Sequence, residues 1–138
     1  MRNLECSSAG DKRFSAFYAK VIFNGVYDTI ENHYQKVKRG KDGTSVRKGQ
    51  YVSYFIINTK RFEPTDLTPY YRLLWYMYLK QNPELVSYAK QFDTFTDKFR
   101  GHCINCQADC IKAFVNKDSD FYKCILKFNK ELPFENKL

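Results

Sequence analysis

Two apolar segments in the first half of the chain border turn residues and predict strands. Val21–Phe23 is typical of a strand end, and the Asn24-Gly25 pair that follows is a strong turn signal. Tyr51–Ile57 is rich in Tyr, Val, Phe and Ile and predicts a second strand. Between them, Arg39–Gly49 carries three glycines among polar residues, which predicts a mobile surface loop.

Start signals and helical spacing of apolar residues predict helices elsewhere. Asp28 is a candidate cap, and Glu31, three residues later, would complete a capping box for a helix that ends near Arg39. Thr68-Pro69 predicts the start of a second helix, to about Gln81. Asn82-Pro83 repeats that signal for a helix to about Gln91. The buried positions of the second helix would be Leu73, Leu74, Trp75 and Met77.

Two further helices are predicted in the last third of the chain. One has an apolar stripe at helical spacing, and the other would begin at Ser119 as its cap. Their apolar residues are Ile104, Ala108, Ile111 and Val115 in the first, and Phe121, Ile125 and Phe128 in the second. The fold class is therefore α+β: a predominantly helical single domain, residues 1–138, packed on a small β-sheet.

Composition and charge narrow the choice of partners and compartment. The net charge is +8, which attracts nucleic acid, phosphates and nucleotides, although basic surfaces also serve solubility alone. No apolar run approaches the roughly 20 residues that span a bilayer. The start, Met1–Glu5, lacks the apolar core of a signal peptide. We therefore expect no membrane partner, a cytoplasmic location and, from the odd count of five cysteines, reduced thiols.

One long motif and two shorter segments carry a family resemblance. From Phe14 the chain reads FSAFYAKVIFNGVYDTIENHYQKVK. Further on, Trp75–Met77 precedes Lys80–Leu85, and Asp93–Asp97 precedes Gly101 and Asn105. In this order the segments resemble the signature of the NADAR family, also called YbiA-like N-glycosidases. The motif residues at the family's spacing are Phe14, Ser15, Phe17, Tyr18, Gly25, Tyr27, Thr29, Glu31, Tyr34, Gln35 and Lys38.

The chain departs from that signature at several positions. Ala16 stands where the family usually has Asn, and Asn32-His33 replaces His-Tyr. No Trp follows Asp93. The differences indicate a divergent branch, of the kind that phages carry.

The resemblance implies a YbiA-like fold and hydrolysis of a C–N bond at a ribose anomeric carbon, without a cofactor. Members of the family act on riboflavin-pathway intermediates or remove ADP-ribose from guanine. The expected substrate is therefore an ADP-ribosyl, NAD-derived or phosphoribosyl compound, with ADP-ribosylated guanine in nucleic acid as one form. Such a reaction needs a positioned water and stabilisation of a cationic sugar, for which carboxylates are suited.

The candidate catalytic residues are Glu31, Asp93 and Asp97. Glu31 is the first choice for a base or electrostatic stabiliser, since the first turn of a helix favours an ionised carboxylate; its alternative role is the capping box. Asp93 fits the family's Asp position slightly better than Asp97 as the second acid. Candidate substrate-binding residues are Phe14, Ser15, Tyr18, Tyr34, Gln35, Lys38, Trp75 and Asn105, although core packing or capping would explain several of them equally well.

The sequence signal for a metal site is weak, and two functions other than the glycosidase stay open. Cys103, Cys106 and Cys110 have a spacing that zinc sites use, but it also matches one buried helix face, and we expect no metal. Without turnover, the same pocket would sequester a nucleotide. A small basic nucleic-acid-binding protein is the third reading, in which the many Tyr and Phe residues stack on bases.

Overall fold

The structure is a computed structural model that describes residues 1–47, 49–98 and 106–131. In this part the chain forms seven short strands and five α-helices, with 3-10 turns at Lys12–Phe14, Pro64–Asp66 and Leu126–Glu131. The strands are β1 (Asn3–Glu5), β2 (Lys20–Phe23), β3 (Val26–Thr29), β4 (Lys38–Arg39), β5 (Tyr54–Ile57), β6 (Lys60–Phe62) and β7 (Thr94–Thr96). The helices are α1 (Ile30–Lys36), α2 (Leu67–Gln81), α3 (Pro83–Ala89), α4 (Gln107–Val115) and α5 (Ser119–Ile125).

The strands pair into three small sheets rather than the single sheet that the sequence predicts. β2 and β3 form an antiparallel hairpin, and β4, β5 and β6 form an antiparallel sheet in that order. β1 pairs in parallel with β7, so that Leu4 lies opposite Phe95. The chain is thus a mixture of helices and small sheets, compatible with the α+β class.

Helix α2 lies at the centre of the core because it is apolar on several sides. It packs on β2, α1, α4 and α5. Its Tyr70 is completely buried among the rings of Phe23, Phe55 and Phe128, with centroid distances of 5.7 to 6.1 Å. Burying aromatic rings supplies much of the apolar contact area in a core of this size. No helix among the described residues is long and apolar enough to cross a membrane.

Three predicted helix caps, Asp28, Thr68 and Ser119, are wrong, and for the first and the last the following or preceding residue caps the helix instead. Asp28 remains in β3, opposite Val21, so it cannot begin the helix. Thr29 caps α1 instead, accepting a hydrogen bond from Asn32 N, and the capping box with Glu31 does not form. Asp118, not Ser119, caps α5 through Asp120 N and Phe121 N.

Other boundaries follow the sequence closely. α2 ends at Gln81 as predicted, although it begins at Leu67, ahead of the predicted Thr68-Pro69 start. α3 begins at Pro83, and α1 ends at Lys36 rather than near Arg39, because Lys38–Arg39 pairs with β5. Ile104, predicted to start the stripe of α4, lies outside the described residues.

Candidate functional site

The turn from Ser15 to Ala19 holds the start of α1. Ser15 follows the 3-10 turn Lys12–Phe14, and its carbonyl accepts hydrogen bonds from Tyr18 N and Ala19 N. The turn then binds α1 twice: Ile30 N donates to Ala19 O at 2.9 Å, and Glu31 N donates to Ala16 O at 3.0 Å. The backbone of Glu31 is therefore fixed to the Ser15–Ala19 turn by hydrogen bonds that are independent of side chains.

Gln107 joins this turn to Asp97. Ala16 N donates to Gln107 Oε1 at 2.7 Å, and Gln107 Nε2 donates to Asp97 Oδ2 at 3.0 Å. The Gln107 side chain is nearly buried, with 7% of its residue surface exposed. Each polar atom of its amide thus has a partner of the right kind. The backbone of Ala16 is consequently linked both to Glu31 and, through one side chain, to Asp97.

The Glu31 side chain is partly buried beside Gln35. Gln35 Nε2 donates to Glu31 Oε1 at 3.0 Å, as expected of residues four apart on one helix face. Gln35 Oε1 is buried and accepts no hydrogen bond within the described part of the chain. A buried acceptor without a donor is costly, and such atoms are often satisfied by a water or a ligand.

Aromatic rings and a lysine extend the site along α1. The Tyr34 ring packs edge-on against Tyr71 at 5.1 Å and stacks on Tyr70 at 6.3 Å. Lys38 Nζ lies 4.1 Å from the centre of the Tyr34 ring, in a cation–π contact. Burial raises the pKa of Tyr71 well above its usual range, and the nearby carboxylate of Glu31 adds to the effect. Tyr71 is therefore a neutral hydroxyl close to Glu31.

Asp93 has a different position from Asp97. It is exposed, and its Oδ2 accepts a hydrogen bond from Arg2 N at 2.9 Å while Asp93 N donates to Arg2 O. These contacts hold the start of the chain beside β7. Of the two candidate acids, Asp97 is the one connected to the Glu31 turn by described contacts.

Of the other candidate residues, Ser15 and Tyr18 belong to the turn that bonds to Glu31, whereas Phe14 and Trp75 are core residues. Phe14 and Trp75 are completely buried and pack against Tyr88 and Tyr78, at 6.2 and 5.4 Å. Ser15 is also buried. Tyr18 is 52% exposed, with Lys12 Nζ 4.8 Å above its ring. Asn105 lies outside the described residues.

Sequence reasoning missed two residues that shape the site, Gln107 and Tyr71. Gln107 belongs to the buried face of α4, together with Ala108, Cys110 and Ile111. A polar side chain on an otherwise apolar stripe was the available signal, because buried amides need specific partners. Tyr71 gave no comparable signal, since α2 is aromatic throughout.

The cysteines near the site are buried thiols. Burial raises the pKa of Cys106 and of Cys110, so both remain protonated at neutral pH. The described residues contain no group of three metal-ligating side chains, and Cys103 lies outside them.

Two cavities lined by described residues lie apart from Glu31. One, of about 460 Å³, is at the C-terminal end of α4, and the other, of about 320 Å³, is beside the β2–β3 and β5–β6 turns. Neither includes Glu31, Gln35 or Asp97 in its lining. A comparison of the chain with protein-family models and with curated proteins gave no match.

Proposed function

We propose that the chain is an N-glycosidase of the NADAR type that hydrolyses an ADP-ribosyl, NAD-derived or phosphoribosyl substrate. The observation that supports it most is the linkage of two acidic residues to one turn, Glu31 through its backbone and Asp97 through its carboxylate. Glu31 N bonds to Ala16 O, and Gln107 connects Ala16 N to Asp97. Two acidic residues connected to the same turn suit a reaction that needs one group for water and another for the leaving nitrogen.

The reaction needs only groups that the chain supplies. Water attacks the anomeric carbon, a C–O bond forms, and the C–N bond breaks with its electrons passing to the nitrogen. Glu31 accepts the proton from the attacking water and stabilises the cationic sugar. Asp97 gives a proton to the leaving nitrogen and regains one from solvent, while Glu31 releases to solvent the proton that it took from water. Gln35 Oε1, the buried acceptor beside Glu31, would bind a sugar hydroxyl.

Tyr34 and Lys38 are suited to the phosphate end of the substrate. The lysine cation already lies against the Tyr34 ring, 4.1 Å from its centre. A phosphate near Lys38 would form a charge-assisted hydrogen bond, which is about twice as strong as a neutral one. This contact would favour phosphorylated or ADP-ribosyl ribosides over plain ribosides.

The experiment is a turnover assay with mass spectrometry of the products. The panel contains NAD, ADP-ribose conjugates, ADP-ribosylated guanine in DNA and riboflavin-pathway ribosides. We expect wild type to release a free base from one of them. Glu31→Gln should lower kcat by about 100-fold or more, the range typical of a lost general base. Asp97→Asn should lower it as well.

Asp93→Asn is the matched control, because it removes the same charge four residues away from Asp97. It should keep kcat within a fewfold of wild type, since the Asp93 contacts are with Arg2. Equal turnover by wild type and Glu31→Gln would overturn the assignment of Glu31. If one compound binds and returns intact, the chain is a sequestering module instead.

Nucleic acid is a second candidate ligand. It is supported by exposed tyrosine rings that have lysines in cation–π contact with them. Tyr27 is 66% exposed on the β2–β3 hairpin with Lys20 Nζ 5.8 Å from its centre, and Tyr18 has Lys12 in a similar place. Exposed rings with cations beside them stack on single-stranded bases. Binding of an unmodified oligonucleotide that weakens steeply with salt, without turnover of the panel, would favour this function over the glycosidase.

A further inference from the structure

The larger cavity lies where four helices meet, at the far end of α4 from Gln107. It has a volume of about 460 Å³ and is lined from α2, α3, α4 and α5. Gln107 begins α4, and Lys117 follows its end, ten residues later. The cavity lining on α4 starts at Ala113, six residues after Gln107, which at 1.5 Å per residue is about 9 Å along the helix. The cavity is thus a separate place on the molecule.

One wall of the cavity is aromatic. Tyr76 packs against Phe114 at 5.6 Å and against Tyr122 at 5.9 Å, and all three rings line the space. The rings are only partly buried, and Tyr122 is 39% exposed. Adjoining aromatic faces that are open to solvent are a favourable surface for a planar ring.

The rim of the cavity carries three lysines and one carboxylate. Lys80, Lys90 and Lys117 are exposed, and none forms an ion pair with a described residue. The carboxylate of Asp118 is engaged with the start of α5, where Oδ1 accepts hydrogen bonds from Asp120 N and Phe121 N. The rim therefore has a surplus of positive charge over an apolar floor.

Lys117 reaches the rim through an unusual backbone conformation. Its φ is 55°, in the left-handed region, and its N–H donates to Phe114 O to end α4. Glycine or asparagine is usual at such a position, and another residue there costs about 1 kcal/mol. Lysine is therefore less favourable than glycine at this position, and it adds a cation to the rim of the cavity.

We propose that this cavity binds an aromatic anion of the nucleoside monophosphate class. The base lies against Tyr76, Phe114 and Tyr122, and the phosphate lies among the lysines. The three rings can contact the base, and the three lysines can pair with the phosphate. An uncharged ring would use only the aromatic wall and leave the lysines without an anion. This second site is independent of the reaction proposed at Glu31.

Calorimetric titration of the full chain tests the site, with adenosine 5′-monophosphate, adenosine and inorganic phosphate as probes. Wild type should bind the monophosphate more tightly than either part alone. The double variant Lys90→Gln/Lys117→Gln should weaken this binding about tenfold or more. The matched control, Lys112→Gln/Lys123→Gln, removes the same charge from exposed positions of α4 and α5 outside the cavity. It should change the affinity at most two- to threefold.

Two further variants locate the ligand. Tyr122→Ala removes a partly exposed ring and should weaken the monophosphate without lowering the unfolding temperature appreciably. Glu31→Gln should leave the affinity unchanged. If Glu31→Gln abolishes binding while Lys90→Gln/Lys117→Gln does not, the ligand occupies the Glu31 site and the proposal fails. It also fails if wild type gives no heat of binding at millimolar monophosphate, or if the two double variants lose affinity equally.

Discussion

His33 is a buried imidazole that the fold keeps neutral. It is completely buried, with its ring edge-on to Phe23 at 6.0 Å. Its Nε2 lies 3.0 Å from Val21 O, so Nε2 carries the hydrogen, because a carbonyl can only accept. Nδ1 has no hydrogen-bond partner among the described residues. Protonation would place a positive charge inside the core, which burial disfavours.

We expect this residue to make stability fall in mild acid. Burial lowers the pKa of His33; the Val21 carbonyl acts in the opposite direction, Lys36 lowers it further, and Asp28 raises it. The unfolded chain therefore takes up a proton at a higher pH than the folded chain. The free energy of unfolding should be unaffected above about pH 6.5 and decrease below it, by at most about 1.4 kcal/mol per pH unit.

Urea unfolding of wild type and His33→Gln between pH 7.5 and 5 measures this effect. The variant is less stable at neutral pH, since it disturbs the packing against Phe23, but its stability should vary less with pH. Parallel pH profiles for the two proteins would show that other groups cause the acid sensitivity.

At the scale of elements, the two β-hairpins β2–β3 and β5–β6 have the same type of two-residue turn, and the turns differ in their second residue. The β2–β3 turn has Asn24 and Gly25 at φ values of 51° and 76°, and the β5–β6 turn has Asn58 and Thr59 at 49° and 70°. Both central residues of each turn are left-handed, as a type I′ turn requires. Glycine adopts this conformation freely, whereas a β-branched residue is strained in it.

The comparison predicts opposite effects of two exchanges. Thr59→Gly should stabilise the protein by roughly 0.5 to 1 kcal/mol, because relief of left-handed strain exceeds the added entropy of glycine. Gly25→Thr should destabilise it by a similar amount; a Cβ at Gly25 would meet no atom within 4 Å, so the cost is conformational. Thermal unfolding of the two variants and wild type is the measurement. A destabilised Thr59→Gly protein would show that the threonine side chain contributes more than its strain costs.

The same hairpins show what sequence could and could not predict. The Asn24-Gly25 turn and the start of α3 at Pro83 were predicted because a single dipeptide determines each local conformation. The Asn58-Thr59 turn was missed because threonine does not signal a left-handed residue. Glu31 was named as a candidate from its motif alone. The link between Glu31 and Asp97 could not be predicted, because it depends on a hydrogen bond between Ala16 and Gln107, which are 91 residues apart.

At the scale of the whole molecule, the start of the chain closes onto the segment that leads to Asp97. β1 and β7 are only three residues each, too short to predict, and their pairing spans about 90 residues. Side chains reinforce the pairing: Asn3 Nδ2 donates to Thr96 Oγ1, and Thr96 Oγ1 donates to Glu5 Oε1. Leu4 on β1 is 3% exposed and anchors this pair in the core.

Cys6 follows β1 directly and is buried beside the β1–β7 pair. The reactivity of its thiol therefore reports how often β1 separates from β7. Cys6 is completely buried, its Sγ donates to Leu4 O, and burial raises the pKa of its thiol. Leu4→Ala should cost about 2 to 4 kcal/mol and expose Cys6 more often. Thiol labelling with peptide-level mass spectrometry should then show faster modification of Cys6, while Cys110, buried on α4, stays protected.

Leu126→Ala is the matched control, because Leu126 is 39% exposed and its removal should leave both labelling rates near those of wild type. Selective acceleration at Cys6 in Leu4→Ala would mean that β1 opens as a local unit, since Cys110 labels only when the helical core unfolds. Equal acceleration of Cys6 and Cys110 would mean that β1 separates only in global unfolding. In that case the N-terminal strand, despite its three residues, is part of the cooperative core, and a change at Leu4 reaches Asp97 only through the stability of the whole chain.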